Sequence, residues 1–269
     1  MTFSSRLLLL ALAFVVPVAP FVTLQALYAH LGSVGRIDWA ECLGSSGVVA
    51  LMLIGLVSLI PAAGLPRAAF RWWVSNRQVT RLLRVARPAE LAGVPCFRVC
   101  GDDVALFTAR MWKPVIVVSD GAVASLSEEQ MTAGLLHELA HQRKRDVLWR
   151  SLLVAVTDAF GFVPGTRKMV AAAMLRSECA ADDEAVRRGA GRRALFDAIV
   201  SAANSPTVPC AAGLADSAVA FRLQRIATPA LELPRDPFLG LTLRLALLAA
   251  LPLAGRLLFI AGMVCTAHF

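Results

Sequence analysis

The chain has 269 residues, of which 57% are hydrophobic, and a formal net charge of +8. Its mean hydropathy of +0.65 exceeds that of ordinary soluble proteins and indicates that part of the chain lies in a bilayer. We expect no nucleic-acid partner, because the cations come without a nucleic-acid-binding module and an arginine collar beside anionic lipid headgroups accounts for them.

Two apolar stretches at the N-terminal end, residues 7–35 and 42–66, contain no Asp, Glu, Lys or Arg. Each exceeds the roughly 20 apolar residues that a membrane-spanning helix needs. A signal peptide is the alternative for the first stretch, since Arg6 precedes its apolar run, but no clear small-x-small cleavage site follows. We therefore predict two transmembrane helices within residues 1–66.

The distribution of cations predicts the orientation of these helices. Arginines crowd residues 67–87, directly after the second apolar stretch, whereas the short loop between the stretches carries one arginine, Arg36. The positive-inside rule places the segment after residue 66 in the cytoplasm. The sequence thus predicts a multi-pass protein of the inner (cytoplasmic) membrane whose core faces the cytoplasm. The lipid bilayer is one of its predicted partners.

Residues 67–200 are predicted to form that core, an α+β domain of helices and a short sheet. A basic helix over residues 67–87 is expected to end at Pro88, and short β-rich runs follow at residues 94–99 and 115–119, bounded by turn residues. Ser127 then opens a helix with the pattern of a capping box.

The remaining segments complete the predicted domain organisation. Residues 151–164 form an apolar stretch too short to span a bilayer, which favours a buried or membrane-associated helix. A helix over residues 168–188 closes at Gly189, and residues 201–236 are expected to contribute a surface loop, at 201–219, and the last part of the core. Residues 237–269 are predicted to contain a C-terminal transmembrane helix.

The helix opened by Ser127 contains the sequence His137-Glu138-Leu139-Ala140-His141. Residues four apart share one face of a helix, so His137 and His141 can both be ligands of a single Zn²⁺ ion. Glu138 points away from that pair but can reach a water molecule at the metal, which makes it the candidate catalytic base. Chance spacing on an amphipathic helix is the structural alternative.

A catalytic zinc site needs a third protein ligand. Glu178 and Asp182 lie four apart on the later helix, so Glu178 is the candidate metal ligand and Asp182 the carboxylate that holds the other N–H of a histidine. A solvated acidic run is the alternative, because Asp183 and Glu184 follow directly.

Residues 115–186 resemble the gluzincin metallopeptidases, and most of all the BlaR/MecR-type membrane signal transducers. The resemblance rests on the runs 115–118 and 126–130, on 137–141 with 143–146, and on Glu178 with 182–186. It implies zinc bound by the two histidines and the glutamate, and a β-strand edge that holds extended substrate, mapped to residues 115–118. It also implies limited proteolysis of a cytoplasmic or membrane-proximal protein in signalling, such as a transcriptional repressor.

The chain departs from this family in two respects. After residue 269 no room is left for the extracellular penicillin-binding sensor domain, so we expect direct antibiotic sensing to be absent. The single tyrosine, Tyr28, lies in the first predicted span, which leaves the residue that stabilises the oxyanion unassigned. Arg225 resembles a recurrent Arg-Ile element of the family, and its role stays open.

Three other interpretations fit parts of the sequence. A site-2-type protease would take an aspartate as third ligand, and Asp158 is the candidate for it, although its context differs. A quality-control membrane metalloprotease would place a pair of spans between His141 and Glu178, for which the intervening sequence is short. A non-catalytic zinc-binding membrane scaffold or sensor would have no need of Glu138 as a base.

Overall fold

The computed structural model describes residues 46–204 and 214–233, with short pieces between residues 239 and 247. The predicted first span, residues 7–35, and most of the predicted C-terminal span lie outside the described residues. A long helix, α1 (Ser46–Val85), includes most of the second apolar stretch. Within the described residues, none of the helices is both long enough and apolar enough to cross a membrane.

The chain divides into two compact units. One consists of Met1–Ala69, Val154–Met169 and Pro237–Phe269, and the other of Phe70–Leu153 and Val170–Asp236. Over the described residues the structure has seven helices and a four-stranded sheet, which confirms the α+β class.

The sheet belongs to the second unit and is built from four short strands. In chain order these are β1 (Arg87–Leu91), β2 (Val94–Val99), β3 (Leu106–Ala109) and β4 (Val115–Ser119). Their order in the sheet is β1-β2-β4-β3, with β2 and β4 parallel and the other two pairs antiparallel. The predicted runs 94–99 and 115–119 are therefore confirmed as strands, whereas β1 and β3 were not predicted.

The helix expected to end at Pro88 stops earlier. The chain leaves α1 after Val85, and Pro88 lies within β1, at an edge of the sheet. Proline lacks an N–H group and is tolerated on edge strands for that reason. The prediction of a helix up to residue 87 was wrong by two residues at this end, because the next strand begins at once.

Strand β4 forms the buried centre of the sheet. Ile116 and Val118 face one hydrophobic cluster and Val117 faces another, and none of the three is exposed to solvent. A strand covered on both faces needs apolar residues at successive positions, which explains the unbroken Val-Ile-Val-Val run.

The turn residues predicted to bound the run 115–119 begin a short helix, α2 (Asp120–Ser125). The hydroxyl oxygen of Ser119 accepts a hydrogen bond of 3.0 Å from the Ala122 N–H and so caps it. Gly121 is required by a close backbone approach, since a Cβ atom there would lie 2.1 Å from the carbonyl oxygen of Asp102.

The next helix, α3 (Glu128–Lys144), has the predicted capping box. The Gln130 N–H donates to the Ser127 hydroxyl at 3.2 Å, and the Ser127 N–H donates to the Gln130 side chain at 2.9 Å. The helix ends at Arg145, which adopts the left-handed conformation with φ of 54°. This residue turns the chain directly into the following helix.

Four more helices complete the described fold, namely α4 (Asp146–Phe160), α5 (Thr166–Arg187), α6 (Arg192–Ala203) and α7 (Leu214–Ala227). The helix predicted at 168–188 is thus confirmed as α5. The loop predicted at 201–219 was wrong at both ends, because α6 continues to Ala203 and α7 starts at Leu214.

Helix α3 lies at the centre of the second unit. Met131 and Leu135 pack into the cluster formed with the sheet, whereas Ala133 packs into a second cluster with Leu195 of α6 and Ile226 of α7. Apolar groups are therefore removed from water on both sides of α3. This packing fixes the helix that carries the histidine motif against both neighbours.

Candidate metal centre

Helix α3 presents its two histidines at one buried point. The Nε2 atoms of His137 and His141 lie 3.1 Å apart, and the rings meet nearly edge to face, at an interplanar angle of 84°. Both residues are buried. Their one-turn spacing brings them to the same face, as the sequence predicts.

Helix α5 adds the carboxylate of Glu178 to this pair. One of its oxygens, Oε2, lies 3.4 Å from His137 Nε2, and the other, Oε1, lies 3.6 Å from His141 Nε2. In a tetrahedral site with bonds of roughly 2.0–2.1 Å, as zinc forms, ligand atoms are about 3.3 Å apart. The three side chains therefore fit a metal ion of that size and preference.

An aspartate carboxylate lies beside the other nitrogen of each ring. His137 Nδ1 lies 2.8 Å from Asp182 Oδ1, and His141 Nδ1 lies 2.8 Å from Asp146 Oδ2. The Ser177 hydroxyl donates to the same Asp146 oxygen at 2.9 Å. Carboxylates in these positions fix each imidazole as the tautomer that offers Nε2 to a metal.

Burial and pairing favour the charge states that a metal site requires. Burial lowers the pKa of His141, although the hydrogen bond to Asp146 opposes the shift, so the imidazole is neutral at pH 7. For Asp182, burial alone would raise the pKa, but the hydrogen bonds from His137 and Arg222 outweigh it and hold the pKa well below its usual range. The carboxylate of Asp182 is therefore ionised.

Two arginines reach Glu178 from different helices. Arg222 of α7 donates from NH1 to Glu178 Oε2 at 2.8 Å, and its other nitrogens form a bidentate pair with Asp182 at 2.8 and 2.9 Å. Arg150 of α4 contacts Glu178 Oε1 through NH2, which also lies 3.5 Å from His141 Nε2. The guanidinium groups thus surround the carboxylate with positive charge.

Arg225, whose role the sequence left open, does not join this group. Its guanidinium makes a separate bidentate pair with Asp183, at 2.7 and 2.9 Å. It therefore links α7 to α5 one residue further along the acidic run.

The candidate base, Glu138, is half-buried beside the histidines and is oriented by the sheet. The Thr108 hydroxyl lies 2.8 Å from Glu138 Oε2 and 3.0 Å from the Glu138 carbonyl oxygen. Thr108 belongs to β3, which runs next to α3. A Cβ atom on Gly134 of α3 would lie 2.5 Å from Leu106 of β3, which shows how closely the two elements approach.

The substrate edge mapped to residues 115–118 is corrected by the strand order. These residues form β4, which pairs with β2 on one side and with β3 on the other, so both of its hydrogen-bonding edges are occupied. Among the described strands, β3 is the one that lies at the margin of the sheet beside Glu138. Strand β3 was not predicted from the sequence because Leu106–Ala109 is only four residues long.

All of the sequence-predicted site residues lie in one cluster: His137, Glu138, His141, Glu178 and Asp182. In the part of the chain that the structure describes, the group of side chains able to hold a metal ion consists of the two histidines and Glu178, and does not include Asp158. Four further residues of the cluster were not predicted from the sequence: Asp146, Arg150, Arg222 and Thr108. No spacing rule connects these four to the motif, although Asp146 belongs to the run 143–146 that carried the family resemblance.

Comparison with known proteins supports the same class of site. Residues 107–226 match the family model described as BlaR1 peptidase M56, a span that starts in β3 and ends in α7. The match contains every residue of the cluster and supports a metallopeptidase of the BlaR1 type. No solved structure matches the chain.

Proposed function

We propose that this chain is a membrane-embedded zinc endopeptidase that performs limited proteolysis of a cytoplasmic or membrane-proximal protein in signalling. The observation that carries the proposal is the pair of imidazoles whose Nε2 atoms converge with Glu178 while an aspartate oxygen lies 2.8 Å from each Nδ1. This pattern of ligands and supporting carboxylates is typical of zinc bound by histidine.

Zinc in such a site supplies Lewis acidity, which makes a water molecule acidic enough to lose a proton near neutral pH and polarises the scissile carbonyl. Glu138 accepts that proton as the water oxygen bonds to the carbonyl carbon and the π electron pair moves to the carbonyl oxygen. The pair then returns, the C–N bond breaks, and Glu138 passes the proton to the leaving nitrogen. The second water proton follows to the amine, which leaves a carboxylate and an ammonium product.

Strand β3 is suited to hold the substrate in extended form. The Ser119 N–H donates to the Ala105 carbonyl at 2.9 Å, so the antiparallel alternation directs the N–H and C=O groups of Leu106 and Thr108 away from β4. A peptide that added to this margin would form a new strand alongside Glu138. We infer that the scissile bond is positioned by this pairing.

The catalytic role of Glu138 is tested by Glu138→Gln, with Glu129→Gln in the exposed first turn of α3 as the matched control. Purified proteins are assayed for zinc content and for cleavage of fluorescein-labelled casein. We expect Glu138→Gln to keep its zinc and lose at least about 10²-fold in rate, whereas the control keeps both. Undiminished cleavage by Glu138→Gln would refute the proposal.

The membrane placement rests on the apolar stretches 7–35, 42–66 and 239–269 and on the arginines at 67–87. It predicts that an added protease attacks the core, residues 67–236, in sealed inside-out vesicles and spares it in right-side-out ones. The reverse result would contradict the cytoplasmic orientation. A transcriptional repressor is the proposed substrate class, because limited proteolysis in signalling is what the family resemblance implies.

A further inference from the structure

Peptide hydrolysis places negative charge on the carbonyl oxygen of the substrate, and a donor aimed at that oxygen accelerates the reaction. The single tyrosine of this chain, Tyr28, lies outside the described residues. Two cationic side chains contact the metal-binding carboxylate, Arg150 and Arg222. The two arginines differ in their exposure and in how many of their nitrogens already donate hydrogen bonds to carboxylates.

Arg222 uses all three of its nitrogens within the cluster. Each donates to a carboxylate, NH1 to Glu178 and both NH2 and Nε to Asp182, at 2.8 to 2.9 Å. Its side chain is only 12% exposed. Arg222 therefore positions the ligand and its supporting aspartate relative to each other.

Arg150 is the more exposed of the two arginines and is less fully engaged. It contacts Glu178 and approaches His141 through one nitrogen, NH2, and its Nε is buried without a hydrogen-bond partner among the described residues. Its side chain is 40% exposed. Burial lowers the pKa of Arg150, and the charges of Glu138 and Asp146 oppose that shift. An arginine side chain stays protonated in proteins. The guanidinium is thus cationic, partly open to solvent and beside the catalytic base.

The local fold explains why this arginine reaches the site. Arg145 ends α3 in the left-handed conformation, and α4 starts at Asp146. Asp146 returns to hold His141, and Arg150, one turn later, falls on the same side of α4. The contact of Asp146 with His141 therefore fixes the position from which Arg150 extends.

We propose that Arg150 donates a hydrogen bond to the scissile carbonyl oxygen as that oxygen becomes negatively charged. The inference rests on the proposed peptidase function and adds to it the residue that stabilises the oxyanion. Arginine does not give up its proton in proteins, so its contribution is a fixed charge and N–H donors, and the proton transfers stay with Glu138.

The test compares two inhibitors that share side chains, a phosphoramidate dipeptide and a thiol dipeptide. The phosphoramidate places a charged oxygen where the oxyanion forms, whereas the thiol offers sulfur to zinc and no such oxygen. Their dissociation constants are measured by calorimetry for the unsubstituted protein, for Arg150→Met and for Arg150→Lys. Arg193→Met, at an exposed arginine paired with Asp197 on α6, serves as the matched control.

We expect Arg150→Met to weaken phosphoramidate binding by about 10²-fold and thiol binding by less than about threefold. Arg150→Lys should recover part of the difference, because lysine keeps the charge but not the planar fork. Zinc content should be the same in all variants as in the unsubstituted protein. In the Arg150 variants, the rate of casein cleavage should fall together with the affinity for the phosphoramidate.

Equal losses for both inhibitors, or no loss for either, would overturn the assignment of Arg150 while leaving the peptidase function in place. Loss of zinc from both Arg150 variants would overturn it as well, since Arg150 would then maintain the metal site itself. Failure of the unsubstituted, zinc-loaded protein to bind either inhibitor would instead refute the proposed function, and the role of Arg150 with it.

Discussion

Substituting Arg222 with lysine tests whether the metal site depends on the hydrogen bonds by which Arg222 joins two carboxylates. Arg222 joins Glu178 to Asp182 through three hydrogen bonds of 2.8 to 2.9 Å. Lysine keeps the positive charge, so the electrostatic repulsion of a metal ion changes little. A single ammonium group cannot reproduce the planar fork, so the two carboxylates lose their common support.

The expected magnitude follows from this geometry. Loss of groups that orient metal ligands lowers metal affinity by about 10- to 100-fold, which is about 1.4–2.7 kcal/mol. We expect the lower end, about tenfold, because lysine can still pair with one carboxylate. Asp182 would also lie less firmly beside His137, since it loses its bidentate partner.

Arg225→Lys is the matched control, because Arg225 makes the same kind of bidentate pair with Asp183 between the same two helices. Asp183 is 47% exposed and the pair does not touch the ligands, so zinc affinity should stay within about twofold. Affinities are measured by competition with a chromophoric chelator. Equal zinc affinities of the Arg222→Lys and Arg225→Lys proteins would refute the claim that the hydrogen bonds of Arg222 support zinc binding.

Three further predictions concern individual contacts. Asp146→Ala removes the acceptor of the His141 ring and should lower zinc affinity by about 10- to 100-fold, which the same chelator titration measures. Thr108→Val removes the hydrogen bond to Glu138, worth about 1 kcal/mol, so casein cleavage should fall about fivefold at unchanged zinc content; an unchanged rate would refute its orienting role. Ser127→Ala removes the helix cap and should destabilise the protein by about 1 kcal/mol in a denaturant titration, whereas an unchanged midpoint would contradict this.

The parts of the site that the sequence predicts are those set by spacing along one helix. His137 and His141 share a face of α3 because they are four residues apart, and the same rule pairs Glu178 with Asp182 on α5. The Ser127 capping box likewise depends only on neighbours in the chain. Local geometry is sufficient in each of these cases.

The parts that the sequence does not predict depend on how distant segments meet. Arg222 reaches Asp182 across 40 positions of the chain, and Thr108 reaches Glu138 across 30. The order of the strands is equally non-local, which is why residues 115–118 were assigned to an edge although they form the centre of the sheet. Nothing in the Val-Ile-Val-Val run distinguishes the two except its continuous apolar character, which favours a buried strand.

Zinc content per chain tests the central claim most directly, measured by mass spectrometry of the metal in detergent-purified protein. The unsubstituted protein and Glu178→Ala are compared with Glu184→Ala, a control on the same helix whose carboxylate pairs with Arg187 and Arg188. We predict about one zinc ion per chain in the unsubstituted protein and the control, and little or none in Glu178→Ala. A folded, zinc-free unsubstituted protein, or full zinc retention by Glu178→Ala, would contradict the assignment of the metal centre.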